Sequence, residues 1–161
     1  MKDELEEVRP LAVYLAGKMA GCTDAECREW RDEATKHLAP LLVLNPMVRD
    51  FRGVEMTDKQ CRQLVHDDKA DIDRAFAVIV RADDGASWGT AMEVIYAFTH
   101  SKIVVAFVGD AVVSPWLRAH TNAIVKTVEQ ACAALWVGER PSPQTSLTSE
   151  KRSQSEHPGS G

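Results

Sequence analysis

Four apolar runs, each followed by helix signals, constrain the fold of this chain more than any other feature. The runs are Leu11–Ala16, Leu41–Leu44, Phe76–Val80 and Ile103–Val108. They are continuous rather than alternating, which is the pattern of strands covered on both faces. Thr23-Asp24-Ala25-Glu26 is a capping box, so a helix is predicted from about Asp24 to about Leu38, ended by Pro40. Thr57-Asp58-Lys59-Gln60 is a second box and opens a helix to about Ala75. Ser87 can cap a third helix, and a last amphipathic helix is predicted from about Thr121 to about Leu135. Strand and helix thus alternate. The predicted fold is α/β: a single-domain, doubly wound parallel sheet of four to five strands, flavodoxin-like or Rossmann-like.

Ligands of such sheets bind beyond the carboxyl ends of the strands. Here those ends carry the Gly17–Gly21 loop, Asn45, the turn Asp83-Asp84-Gly85-Ala86 leading to Ser87, and the Gly109–Arg118 loop. The 161 residues, 45% apolar and 27% charged, suit one soluble domain with a real core. A net charge of −5 argues against a nucleic-acid polymer as partner, which needs a basic stripe. Apolar runs fall far short of the roughly 20 residues that span a bilayer. The acidic segment Met1–Glu7 lacks a signal-peptide core. No membrane partner and a cytoplasmic location are therefore expected. Cys22, Cys27, Cys61 and Cys132 form no C-x-x-C pair and read as reduced thiols. The domain is expected over 1–137. The polar stretch 138–161, rich in Ser, Pro, Glu, Gln and Lys, is expected to be disordered.

Glu93 is the residue that points to chemistry. It sits in Ser87-Trp88-Gly89-Thr90-Ala91-Met92-Glu93-Val94-Ile95-Tyr96-Ala97-Phe98, an otherwise apolar helix. A carboxylate there costs desolvation energy unless it is paired or used. The loop Gly17-Lys18-Met19-Ala20-Gly21 could cradle a phosphate or sugar, but it is neither G-x-G-x-x-G nor a Walker loop. His66–Asp73 puts four carboxylates in eight positions, with Asp68 and Asp71 or Ile72 on one face and Asp67 elsewhere. A solvated acidic face explains that run. His66 with Asp67 or Asp68 is too generic for a metal site, and no metal is expected. His100 and His120 read as surface or cap histidines, without the Ser or Cys partner of a triad. Trp30 and Trp136 read as core, while Trp88 and Trp116 lie at the rim and could face a base. Arg49, Asp50 and Arg52 lie in a loop that could contact a ligand or simply be solvated.

Three segments together resemble the nucleoside 2-deoxyribosyltransferase superfamily, which includes deoxynucleoside 5′-monophosphate N-glycosidases. They are Val13-Tyr14-Leu15-Ala16-Gly17, the stretch Asp68–Val80, and Ser87–Glu93 with Tyr96-Ala97. Leu44-Asn45-Pro46 and Ser114-Pro115-Trp116-Leu117-Arg118 resemble phage-type and bacterial relatives. The resemblance implies that Glu93 attacks C1′ of the sugar, that Tyr14 orients its carboxylate, and that Asp68 binds or helps to protonate the base. It also implies substrate contacts from Gly17, Lys18, Met19, Asn45, Ser87, Gly89, Ser114 and Trp116. The chain departs from the pattern at Phe76, where the family usually has Asp. Ser87, six residues before Glu93, resembles the monophosphate hydrolases rather than the free-nucleoside transferases, which have Asp there. The expected substrate is a nucleoside or nucleotide, slightly favouring the 5′-monophosphate, with no cofactor.

The sugar is expected to pass to water or to another base. A homodimer or larger homo-oligomer is expected, with Ser114, Trp116 and Arg118 reaching the neighbouring site. The alternatives are a ribonucleotide N-glycosidase of the cytidine monophosphate type and a non-catalytic nucleotide-binding module on the same fold. A flavodoxin-like electron carrier is disfavoured, because the first loop is not rich in Ser and Thr.

Overall fold

The computed structural model describes residues 9–83, 85 and 87–136. The expected tail at 138–161, the acidic segment Met1–Glu7, and Asp84 and Ala86 of the predicted turn lie outside the described residues. The elements run β1 (Ala12–Ala16), α1 (Asp24–Leu38), β2 (Leu42–Leu44), a 3-10 turn (Pro46–Arg49), α2 (Asp58–Arg74) and β3 (Ala77–Arg81). Then follow α3 (Trp88–Thr99), β4 (Ile103–Phe107), α4 (Pro115–Ala119), β5 (Ala123–Val125) and α5 (Val128–Ala134). The sheet has five strands in the order β2-β1-β3-β4-β5, and every neighbouring pair is parallel. This is the flavodoxin-like order among the two expected.

The helix starts follow from their caps. Thr23 with Glu26, and Thr57 with Gln60, form reciprocal capping boxes, and the Ser87 hydroxyl accepts from the Thr90 N–H at the start of α3. Such caps each contribute about 1 kcal/mol.

The last predicted helix is corrected. Ala123–Val125 forms β5 beside β4 instead, and α5 begins only at Val128. Two local signals explain the difference. Ile124 and Val125 are β-branched and favour a strand. Thr127 and Gln130 form a third capping box, which starts a helix rather than continuing one. The loop expected over Gly109–Arg118 also contains a short helix, α4, capped by Ser114 with Pro115 in its first turn.

Side-chain alternation along β1 builds two cores. Val13 and Leu15 face α1 and α5, with Trp30, Ala34, Leu38 and Phe107. Tyr14 and Ala16 face α2 and α3, with Ile72, Val94 and Ala97. Each Val, Leu or Ile among them contributes roughly 1.5–3 kcal/mol on burial. Trp30 is core, as read, and meets the Phe107 ring edge-on at 5.5 Å. Trp136 is not: it follows α5 and stays 51% exposed. The consequence for the site is the direction of Tyr14. It is the one polar side chain among the five of β1, and the pleat aims it at α3.

Candidate active site

Glu93 lies next to the buried stripe of α3, which is Thr90, Val94 and Ala97. Packing of that stripe on the sheet carries the Glu93 carboxylate inward to Tyr14. The Tyr14 hydroxyl donates to Glu93 Oε1 at 2.8 Å. Tyr14 itself is 0% exposed, and a buried phenol needs such a partner. Burial is the main cause that pushes the Glu93 carboxyl up to about 7. The Tyr14 hydrogen bond opposes it, the Asp68 charge adds to it, and Arg31 and Arg49 pull it down. Burial, then the Glu93 and Asp68 charges, hold the Tyr14 phenol far above its ordinary value.

Asp68 is presented by α2, which packs beside α3. Arg49, at the end of the 3-10 turn, donates to Asp68 Oδ1 through Nε at 3.1 Å and through Nη2 at 2.8 Å. The same Nη2 reaches Asp71 Oδ2 at 2.6 Å. Asp68 and Asp71 therefore share a face, while Asp67 turns away and accepts from Gln63 at 2.8 Å. Burial raises the Asp68 carboxyl, and the Arg49 contacts oppose that rise. Among the described residues, no three His, Cys, Asp or Glu side chains form a group able to hold a metal ion.

Glu93, Asp68 and Gly89 line one cleft of about 420 Å3 between α2 and α3, with Tyr96, Met92 and Ile72 as apolar wall. Such a volume suits a small molecule. The other expected contacts are not among the residues that line this cleft. Ser114 and Trp116 line a separate groove of about 200 Å3 beside Thr90, Ala91 and Val94. The Ser87 hydroxyl caps α3 and shares a hydrogen bond with Thr90 Oγ1 at 3.0 Å. Asn45 caps the 3-10 turn, accepting from the Met47 N–H at 3.0 Å. The Met19 carbonyl is held by the Cys22 N–H at 3.0 Å. Lys18 is partly buried in the same loop.

Gly17 is a packing position: a Cβ there would fall 2.7 Å from Trp30 Cζ2. The small residue lets β1 end against the indole ring. His100 and His120 are the C-caps of α3 and α4, and Trp88 and Trp116 are exposed.

Two arginines were not anticipated in these roles. Nothing local ties Arg49 to carboxylates 19 and 22 positions away. Arg31 was legible, because it falls on the buried stripe of α1 with Cys27, Trp30, Ala34 and Leu38, a helical spacing that points it at the core.

One consequence is measurable without a substrate. The folded chain keeps a proton on Glu93 up to about pH 7, whereas an unfolded carboxyl releases it near 4.5. Stability should therefore fall as pH rises through that window, by up to about 3 kcal/mol. Glu93→Gln should flatten that slope in urea denaturation at pH 4.5 and 7.5. An equal slope in both proteins would contradict the burial assigned to Glu93.

No protein-family model and no curated protein matches the sequence. Solved structures do match by shape. The 2-deoxyribosyltransferase of Bacillus psychrosaccharolyticus superposes with a TM-score of 0.62 at 16% identity, covering 74% of this chain and 88% of its own. A conserved protein from Enterococcus faecalis V583 gives a TM-score of 0.58 at 11% identity, covering 78% and 96%. The fold of this chain is that of a 2-deoxyribosyltransferase.

Proposed function

We propose that this protein cleaves the N-glycosidic bond of a 2′-deoxynucleoside or its 5′-monophosphate, with Glu93 as nucleophile. The observation that carries the reading is the tyrosine-held carboxylate of Glu93 in one cleft with Asp68. The shared fold supports it.

N-glycosidic cleavage passes through an oxocarbenium-like state at C1′. The Glu93 carboxylate attacks C1′, forming an ester to the sugar while the C1′–N bond breaks and its electron pair leaves with the base. A 2-deoxy sugar reacts more readily, because no electron-withdrawing 2′-hydroxyl opposes the cation. The base nitrogen must gain a proton or a hydrogen bond as it departs. Asp68 lines the same cleft and is the group proposed to meet the base. Arg49 takes the Asp68 Oδ1, so the Asp68 Oδ2, protonated with help from the burial that raises the carboxyl, is the group proposed to give the departing nitrogen its proton. Water then attacks C1′, gives its proton to the Asp68 carboxylate and returns the Glu93 carboxylate; a second base attacking instead gives transfer. Hydrolysis of the 5′-monophosphate is favoured, with Ser87 at the N-terminus of α3 as the phosphate contact.

Incubation with a panel of deoxynucleosides, ribonucleosides and their monophosphates, with and without acceptor base, tests the reading by chromatography of released base. Release from at least one deoxy substrate is expected, with a loss of about three orders of magnitude or more in Glu93→Ala. Ligand binding without release would favour a nucleotide-binding module.

The exposed face of α3 supports a second proposal, a two-fold dimer. Trp88, Met92 and Ile95 recur at helical spacing and stay exposed, Trp88 at 85%, and Val112 and Trp116 extend the apolar patch beside them. Patches of this kind mark association surfaces, and a second copy meeting the same face closes the assembly. Sedimentation should give the mass of two chains, and Met92→Asp should shift it to one. A wild-type protein that sediments as a single chain at all concentrations contradicts this.

A further inference from the structure

Among the described residues, Arg31 is a cation buried without a carboxylate contact. It is 0% exposed, whereas Arg49, Arg52 and Arg81 each touch an acid. Its Nη1 donates to the Cys27 carbonyl at 2.6 Å and its Nη2 to the Gly17 carbonyl at 2.9 Å. Its Nε is buried with no acceptor. The guanidinium lies 4.5 Å from the Trp30 ring centroid. Two neutral carbonyls and a ring face do not compensate a desolvated charge in full, and such a charge persists where something else requires it.

The position indicates what requires it. Gly17 directly follows β1, three residues after Tyr14, the donor to Glu93. One short strand therefore connects the Arg31 contact to the Glu93 contact. A side chain at Gly17 would collide with Trp30, so the Arg31 bond and the indole both bear on the end of β1.

We propose that Arg31 is a positioning residue for Glu93: it anchors the Gly17 carbonyl and fixes a buried cation at the end of the strand whose Tyr14 holds Glu93. The proposal rests on the reading of Glu93 as nucleophile. Tyr14 from β1 touches Glu93, Asp68 and Lys69 from α2 line the same cleft, and Arg49 from the 3-10 turn and Arg31 from α1 act on it as charges at longer range. Burial and Asp68 disfavour the carboxylate; Tyr14, Arg31 and Arg49 favour it. Around Arg31 itself, burial and Arg81 disfavour the charge, while Cys27, Glu93 and Tyr14 favour it. An arginine stays protonated through such opposition.

The test compares wild type, Arg31→Met and Arg31→Lys as full chains. Two readouts are followed: the Glu93 side-chain carboxyl by 13C NMR across pH, and the acid limb of kcat/KM for base release. Removing the cation should move the Glu93 titration upward by about half a unit or more. The acid limb should move with it, with a loss of roughly threefold or more in kcat/KM at pH 7. Arg31→Lys should return the titration close to wild type and leave its remaining defect in KM, since a lysine lacks the fork that holds Gly17. An unchanged Glu93 titration in Arg31→Met overturns the proposal.

If Arg31→Met does not fold, the wild-type Arg31 Nε–H resonance decides. It should titrate together with Glu93 and lose that response in Glu93→Gln; a pH-invariant signal in wild type overturns the proposal. A wild type that releases no base from any substrate would defeat the glycosidase reading, while the NMR titrations would still decide the place of Arg31.

Discussion

The hydrogen bond between Tyr14 and Glu93 is the constraint around which the rest of the site is arranged. Each group alone would be a liability. A phenol in the middle of a parallel strand has no water to bond, and a carboxylate on the inner side of an apolar helix has lost its hydration. Brought together, each satisfies the other, and the pair ties the first strand to the third helix across 79 positions of chain. The pairing is available because the β1 pleat sends Tyr14 and Ala16 to the α3 side and Val13 and Leu15 to the other.

Charge is distributed around that bond unequally. Asp68 is committed to Arg49, which also holds Asp71, so one cation serves two acids. Among the described residues no arginine pairs with Glu93, whose carboxyl takes its hydrogen bond from Tyr14. Burial leaves its carboxyl balanced near neutrality, a value at which small changes in neighbouring charge alter the ionised fraction strongly. The two acids of the cleft thus occupy different environments, one pinned by an ion pair and one poised. Two carboxylates with different roles in N-glycosidic cleavage need such a division.

Much of this was legible in the sequence, and the reasons are local. Helix starts were readable because Thr23, Thr57 and Ser87 cap through contacts within three residues. Tyr14, Asp68 and Glu93 were readable through the resemblance, and the structure places Asp68 and Glu93 in one cleft with Tyr14 bonded to Glu93. What local reading missed was tertiary. The β5 strand is three residues long, so its local signals, Ile124, Val125 and the cap at Thr127, carry little weight until β4 pairs with it. Arg49 was a loop residue until α2 came beside it. Gly17 looked like a ligand cradle, yet its lack of a side chain is required by Trp30, which only folding brings near. Ser114 and Trp116 were grouped with the site, but within one chain they line a different groove.

The central claim is that the Glu93 carboxylate forms a bond to the sugar. Rapid acid quenching during turnover of a deoxy substrate, followed by peptide mass spectrometry, tests it most directly. The account predicts a mass gain of one deoxyribosyl unit, or its 5′-phosphate form, on the peptide that contains Glu93. A sugar adduct on a different side chain, or base release at the wild-type rate by Glu93→Gln, would contradict it.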